Sequence, residues 1–162
     1  MKKLGVISDT HLRDSNELTE TIAQTYFHDA DLIIHAGDMV TLDLLNCFNS
    51  LGRNVVGVCG NMDLPDVQNA CPVSRTITVE DLRIGVIHGW GSPDGIRNRI
   101  RATFKDIDII IYGHTHQAYA AYEAGIYFFN PGSPTDSRFT SANSIGIIRI
   151  NGQNMEGKII SL

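Results

Sequence analysis

The sequence predicts an α/β protein in which two packed, mixed β-sheets are flanked by helices. Its first half alternates short apolar runs with amphipathic helical segments, whereas its second half pairs apolar runs around turn residues. The runs are continuous rather than alternating, which is typical of strands that are covered on both faces. Two sheets that pack face to face, with helices outside, reconcile a parallel first half with an antiparallel second half.

Five apolar runs are predicted strands. The first three are separated by helical segments, and this order implies parallel strands joined by right-handed crossovers. The runs are Leu4–Ile7, Leu32–Ile34, Val55–Val58, Ile84–Ile87 and Ile107–Ile111.

Three amphipathic segments are predicted helices. Asp14 is a candidate N-cap for the first, because Glu17 follows three residues later, and Gly52 fits a cap after the second. Ser92 and Pro93 fit an N-cap and a first-turn proline that open the third. The helices are expected over Glu17–Phe27, over Leu42–Leu51 and from Ser92 to about Phe104.

Turn residues in the second half predict three hairpins. Asn151-Gly152 is the strongest of these signals, because Asn-Gly favours the tight turns that join antiparallel strands. The paired segments are Arg75–Val79 with Arg83–Ile87, Tyr119–Glu123 with Ile126–Phe129, and Ser144–Ile150 with Met155–Ile160.

Length and composition indicate an ordinary globular protein. The 162 residues suffice for one core, and no repeat or linker is visible, so a single domain over residues 1–162 is expected. No apolar run approaches the roughly 18 residues of a membrane span. Lys3 leads into a predicted strand rather than into a secretion signal. The three cysteines are odd in number and widely spaced, so reduced thiols in a cytoplasmic protein are expected.

The charge of the chain restricts its partners. A net charge of −5 argues against a generic nucleic-acid surface or an anionic membrane surface. It does not exclude a local positive site that bound metal ions create. The sequence leaves open whether the chain forms a homo-oligomer.

A metal-compatible side chain follows each of the five predicted strands, in most cases beside a glycine. In α/β sheets the carboxyl ends of the strands form the crevice in which ligands bind, and glycine lets the backbone turn sharply there. These residues are therefore expected to converge although they are far apart in the sequence. They are Asp9 and His11, Asp38, Asn61, His88, and His114 with His116.

Each motif alone has an ordinary structural explanation. Asp9 and Asp38 lie in segments typical of turns, and a lone His88 is most often a hydrogen-bonded core histidine. His114 and His116 are more specific, because two imidazoles at i and i+2 share one face of an extended segment. The conjunction of five strand ends, in this order, favours a metal site over five unrelated turns.

The same residues resemble the ligand motifs of the calcineurin-like metallophosphoesterase superfamily, and their compact spacing is similar to that of its small YfcE-type phosphodiesterases. The resemblance covers essentially the whole chain and fills all seven ligand positions of the family. It implies an α/β/β/α sandwich and hydrolysis of a phosphodiester by a metal-bridging hydroxide. The motifs are Asp9-x-His11, Gly37-Asp38, Gly60-Asn61-x-Asp63, His88-Gly89 and Gly113-His114-x-His116.

By that resemblance, two divalent metal ions are held by two sets of ligands that Asp38 bridges. The sets are Asp9, His11 and His116 for one ion, and Asn61, His88 and His114 for the other; Asp38, Asn61 and His114 are the expected catalytic residues. A mixed nitrogen and oxygen shell favours Mn and leaves Zn, Fe, Ni or Co open. Two such ions, two carboxylates and one hydroxide sum to about +1, which slightly favours a diester monoanion as substrate.

Three further residues are candidates for supporting the ligands or contacting the substrate: Asp63, Met62 and Ser133. Many members of the superfamily carry a histidine at the position of Met62, whose thioether cannot donate a proton. Ser133 ends Asn130-Pro131-Gly132-Ser133, a turn by composition, and the equivalent segment of the resembling family lies near the metals. Arginines 97, 99 and 101 are interpreted as a solvated helix face.

The leading functional hypothesis is a phosphodiesterase that acts on a small phosphoester. Two alternatives stay open, namely a phosphomonoesterase on the same metals and a scaffold similar to a retromer subunit of this fold. Completeness of the ligand set favours an enzyme. The sequence contains no motif that identifies the natural substrate.

Overall fold

The computed structural model describes all 162 residues and contains two five-stranded sheets. The strands are β1 (Lys2–Ile7), β2 (Leu32–His35), β3 (Val55–Gly57), β4 (Ser74–Val79), β5 (Leu82–Ile87), β6 (Ile109–Ile111), β7 (Tyr119–Glu123), β8 (Ile126–Asn130), β9 (Ser144–Asn151) and β10 (Asn154–Ser161). The helices are α1 (Glu17–Thr21), which continues as a π-helical turn (Ile22–Tyr26), α2 (Asp43–Ser50), α3 (Pro65–Ala70) and α4 (Ile96–Arg101).

Both sheets are mixed. In the first sheet, of order β10-β9-β1-β2-β3, the strands β1, β2 and β3 are parallel and β9 and β10 form an antiparallel hairpin beside them. In the second, of order β4-β5-β6-β8-β7, the strands β5, β6 and β8 are parallel and both edge strands are antiparallel. The predicted fold class and the three predicted hairpins are confirmed.

The core lies between the two sheets, and a second apolar layer covers each outer face. Val6 belongs to the cluster that both sheets share, whereas Ile7 packs with Phe27 and Phe48 on the helical side. In the second sheet, Ile111 belongs to the shared cluster, and its neighbour Ile110 packs among side chains of α4. The strands therefore have two apolar faces, which explains why their sequences do not alternate.

The helices are shorter than the sequence predicts. Regular α1 ends at Thr21, and α4 begins after Gly95 rather than at Pro93. The sequence analysis also does not predict α3, because the helix is only six residues long and Val67 is its only buried residue. No helix is long and apolar enough to cross a membrane.

The N-cap of α1 is Asn16, so the prediction of Asp14 is wrong. Thr19 N–H donates to Asn16 Oδ1 at 3.2 Å, and Asn16 N–H donates to Thr19 Oγ1 at 2.8 Å. This reciprocal pair is a capping box with threonine in the position usually held by glutamate. The C-terminal cap of α2 agrees with the sequence, because Gly52 has a φ of 72°.

Replacing Asn16 by alanine is expected to lower the free energy of unfolding by about 1 kcal/mol, because the first turn of α1 loses its side-chain acceptor. For a chain of this size the midpoint of thermal unfolding should fall by about 2–4 °C, measurable by calorimetry. Asp14→Ala is the control and should leave the midpoint unchanged. Equal losses in the two variants would contradict the assignment of the cap.

Candidate metal centre

Loops at the carboxyl ends of five parallel strands carry all seven predicted ligands, and these loops are bonded to one another. Within the first sheet, Asp9 N–H donates to Gly37 O at 3.0 Å. Across the two sheets, His114 N–H donates to Asp9 Oδ2 at 3.0 Å. The carboxyl ends of the parallel strands in both sheets therefore meet at one edge of the sandwich, as the α/β rule predicts.

Asp9, His11 and His116 form a first group that could hold a metal ion. Their candidate ligand atoms all lie within 4.8 Å of one another. His116 Nε2 is 3.2 Å from Asp9 Oδ1 and 3.2 Å from His11 Nε2. One carboxylate oxygen and two imidazole nitrogens thus converge on one point, with Asp9 and His116 buried.

Asp9, Asp38 and His88 form the second such group. His88 Nε2 lies 3.3 Å from Asp38 Oδ2 and 3.8 Å from Asp9 Oδ1, and it has no hydrogen-bond partner although it is buried. The other ring nitrogen, Nδ1, donates to Ala36 O at 2.8 Å, which directs the Nε2 lone pair towards the carboxylates. A lone pair facing two carboxylates is stabilised by a cation between them, so this donor set fits a metal ion.

Asn61 and His114 pair with each other beside the second group. His114 Nδ1 lies 3.1 Å from Asn61 Oδ1, and the ring centroids of His114 and His88 are 5.4 Å apart. His114 Nε2 lies 2.8 Å from Gly91 O, and because a carbonyl oxygen can only accept, Nε2–H is the donor of this bond. The structure brings this pair next to the two groups but outside the tighter cluster that they form.

The electrostatics of the cluster favour positive charge. Burial lowers the pKa of His88, but the Asp38 and Asp9 carboxylates raise it more, to about 9. Contact with Asp9 likewise raises the pKa of His116 above its ordinary value. Burial raises the pKa of Asp38, but His88 lowers it further, so that the net shift is downward. The cluster therefore holds anionic carboxylates that attract a proton or a metal ion.

Five of the seven candidate ligands have a left-handed backbone. Their φ angles are 53° at Asp9, 49° at His11, 57° at Asp38, 69° at His114 and 57° at His116. Such conformations cost about 1–3 kcal/mol each when a side chain is present, and they cluster at functional sites. The local strain is consistent with a site whose loops are held in place by surrounding contacts.

Two glycines permit the close approach of these loops. A Cβ atom at Gly60 would lie 2.2 Å from Asp38 Oδ1, and one at Gly113 would lie 2.0 Å from Ser8 Oγ and 2.6 Å from Asp9 Oδ2. No other residue fits either position without moving the carboxylates.

Asp63 supports the site and belongs to neither metal-binding group. Its buried carboxylate accepts three backbone N–H groups, from Gly60 at 2.7 Å, Asp38 at 3.1 Å and Val40 at 2.6 Å. It thus ties the loop after β3 to the loop after β2. Met62 N–H donates to Asp38 Oδ1 at 2.8 Å, while its side chain is 57% exposed.

Ser133 is buried and supports a ligand loop rather than facing solvent. Ser133 Oγ donates to Asp9 O at 2.7 Å, and Asn130 Nδ2 donates to Gly113 O at 3.0 Å. The segment after β8 therefore holds the loops of both sheets in place.

Asp136 is a neighbour of the site that the sequence analysis missed. Its Oδ2 lies 3.1 Å from His116 Nδ1, although outside hydrogen-bonding geometry. A bidentate contact with Arg138 holds the pKa of Asp136 well below its usual value. No strand end or glycine marks Asp136 in the sequence; its closeness to Ser133 is the only signal that could have found it.

Known proteins support this architecture. A family model described as the calcineurin-like phosphoesterase superfamily domain matches residues 1–153. A protein of Methanothermobacter thermautotrophicus named a probable metallophosphoesterase is 38% identical over 160 residues, covering 97% of this chain and 91% of that protein. A phosphodiesterase of Methanocaldococcus jannaschii is 28% identical over 159 residues, or 90% and 92% of the two chains. Entamoeba histolytica Vps29 complexed with Zn²⁺ shares the fold, with a TM-score of 0.74, 22% identity and 98% coverage of both chains.

Replacing Asp63 by alanine is expected to lower the free energy of unfolding by about 2–4 kcal/mol, because three backbone N–H groups lose a charged acceptor. Urea unfolding followed by circular dichroism measures the change. Asp66→Ala removes an exposed carboxylate from the first turn of α3 and should cost less than about 1 kcal/mol. The supporting role would be disproved if Asp63→Ala were no less stable than Asp66→Ala.

Proposed function

Because the chain belongs to the calcineurin-like phosphoesterase superfamily, we propose that it hydrolyses phosphodiesters with the aid of two divalent metal ions. One observation carries the proposal. Two groups of candidate ligands share the buried Asp9 carboxylate at the edge where the carboxyl ends of both sheets meet. Two neighbouring cation sites are the arrangement that phosphoester hydrolysis uses in many enzymes.

We assign Asp38 the bridging position between the two ions. Its Oδ2 lies 3.8 Å from His11 Nε2 and 3.3 Å from His88 Nε2, between a histidine of each group. The two proposed ligand sets are Asp9, His11 and His116 for one ion, and Asn61, His88 and His114 for the other. Asp9 Oδ1 is also 3.8 Å from His88 Nε2, which supports a short separation between the sites.

The chemistry of the reaction is divided between the ions and the chain. Two divalent ions in this mixed nitrogen and oxygen shell, with Mn²⁺ favoured, would supply a water of lowered pKa and stabilise negative charge on the phosphoryl oxygens. Asn61 is exposed and His114 partly exposed, so these residues are reached first by a phosphoester from solvent. His114 donates its Nε2–H to Gly91 O, so that this proton is engaged by the main chain.

The basic side chains near the cluster favour a diester over a monoester. Arg138 is paired with Asp136, and Arg99 donates to the main-chain oxygens of Trp90 and Asp94. Neither guanidinium is free to balance the second negative charge of a monoester dianion. A diester carries only one negative charge, so its binding requires no additional cationic side chain.

Two other functions are tested by the same assay. A phosphomonoesterase would use the same residues and would prefer nitrophenyl phosphate to a bis(nitrophenyl) diester. A binding scaffold is compatible with the fold, which Vps29 shares, and it would hydrolyse neither compound. Turnover of both chromogenic compounds, measured side by side, separates the three functions.

Metal activation is the first expected result. After chelation and reconstitution, the chain should bind two divalent ions and should hydrolyse bis(4-nitrophenyl) phosphate faster with Mn²⁺ than with Ca²⁺, because Ca²⁺ disfavours imidazole ligands. Elemental analysis of the dialysed protein gives the stoichiometry. Absence of any bound transition metal after reconstitution at neutral pH would refute the site assignment.

Asp38→Asn should lose more than about 100-fold in kcat, because one substitution removes charge from both proposed sites. Asp63→Asn is the matched control. It retains one side-chain oxygen as an acceptor for the backbone and should lose less than about 10-fold. Both variants are compared with circular dichroism to confirm folding. Equal losses in two folded variants would show that Asp38 does not bridge.

The leaving group of the substrate should control the rate strongly, because Met62 cannot act as a general acid and such acids contribute about 10²–10⁴-fold. Aryl diesters should turn over well, since a nitrophenolate departs without a proton, and dialkyl diesters should turn over poorly. Met62→His should raise the rate for alkyl diesters and flatten the dependence on leaving-group pKa. A shallow dependence in the unmodified chain would mean that another group supplies the proton.

A further inference from the structure

Arg99 is not the solvated helix residue that the sequence analysis expects. Its side chain leaves α4 and donates to three main-chain oxygens. Nε and Nη2 donate to Trp90 O at 3.2 and 2.9 Å, and Nη1 donates to Asp94 O at 2.9 Å. Nη2 also contacts Ser92 O. All three oxygens belong to the loop that joins β5 to α4 and that follows the candidate ligand His88.

The hydrogen bonds of Arg99 restrain a loop that is rich in glycine. Gly89, Gly91 and Gly95 have φ angles of 96°, 77° and 72°. Glycine loses more conformational entropy on ordering than any other residue, and α4 is too short to hold the loop by itself. A guanidinium presents five N–H groups in a fixed plane, so that one side chain can bind several carbonyl oxygens at once.

The β5–α4 loop in turn holds the imidazole ring of His114 in its orientation. Gly91 O accepts the proton of His114 Nε2 at 2.8 Å, and Gly91 lies between two of the carbonyl groups that Arg99 binds. This bond places a proton on Nε2 and holds the ring so that Nδ1 lies 3.1 Å from Asn61 Oδ1. A histidine can bind a metal only through an unprotonated nitrogen, and its other nitrogen needs a fixed partner to hold the ring.

We propose that Arg99 is a positioning residue for His114, acting through the carbonyl groups of the β5–α4 loop. The proposal rests on the proposed metal-dependent function, because it assigns His114 to one of the two metal ions. Arg99 itself bonds to main-chain oxygens and to none of the candidate ligands. Loss of the Arg99 side chain should loosen the loop and let both tautomers of His114 form. It should also weaken binding of the ion proposed to be held by Asn61, His88 and His114. The ion held by Asp9, His11 and His116 should be unaffected.

The test uses the full chain with Arg99→Met, and Arg101→Met as the matched control. Arg101 lies on the same helix, is exposed and makes no contact with the loop. Calorimetric titration with Mn²⁺ should show one site weakened by about 10–100-fold in Arg99→Met and both sites unchanged in Arg101→Met. Arg99→Lys should lie between Arg99→Met and the unmodified chain, because an ammonium group can hold fewer of the carbonyl oxygens.

Two readouts are independent of metal binding. Trp90 is the only tryptophan, so its fluorescence anisotropy in the metal-free chain should fall in Arg99→Met as the loop loosens. In ¹⁵N-histidine-labelled chain, the two ring nitrogens of His114 should show well-separated shifts, because only Nε2 faces the fixed carbonyl group of Gly91. In Arg99→Met the two His114 ring nitrogens should move towards averaged shifts.

The outcomes separate this inference from the proposed function. If folded Arg99→Met keeps the Trp90 anisotropy, the His114 tautomer and both Mn²⁺ affinities of the unmodified chain, the positioning role is overturned and the proposed function stands. If the unmodified chain binds no divalent ion, the proposed function fails. The anisotropy and the tautomer then still show whether Arg99 holds the loop. If Arg99→Met does not fold, Arg99→Lys supplies the same three comparisons.

Discussion

Asp9 lies wholly inside the protein, where a carboxylate must find partners for both of its oxygens. Ser8 Oγ donates to it at 2.7 Å, and His114 N–H, from the other sheet, donates to it at 3.0 Å. It also belongs to both groups of candidate metal ligands. The assembly of the candidate site therefore depends on this buried carboxylate, and a cation beside it would balance its charge when it is ionised.

The loops around Asp9 are held in conformations that they would not adopt alone. His11, Asp38, His114 and His116 share its left-handed backbone, and such strain persists only where surrounding contacts overdetermine it. Asp63 supplies part of that support through three backbone N–H groups. The strained loops thus lower the free energy of unfolding, and in return they hold the candidate ligands in place before any ion or substrate binds. Such a trade-off is common at functional sites.

The fold, and the convergence of the strand-end side chains at one edge, could be predicted from the sequence because both depend on local patterns. Continuous apolar runs reveal strands with two covered faces, and their order places the residues that follow them at one edge. Asp136 could not be predicted, because only the fold brings it beside His116. The bonds of Arg99 could not be predicted either, because they depend on the path of the glycine-rich loop before α4. The predicted start of α1 is wrong because a single pair of hydrogen bonds at Asn16 decides it. Helix α3 is missed because it is too short to show a helical period in the sequence.

Anomalous diffraction tests most directly whether two metal ions bind beside the buried Asp9 carboxylate, with Asp38 between them. Crystals of the full chain grown with Mn²⁺ should show two anomalous difference peaks. One should be enclosed by Asp9, His11 and His116, and the other should lie on the side of Asp38 that faces His88 and His114. A single peak, or peaks away from Asp9 and Asp38, would contradict the account.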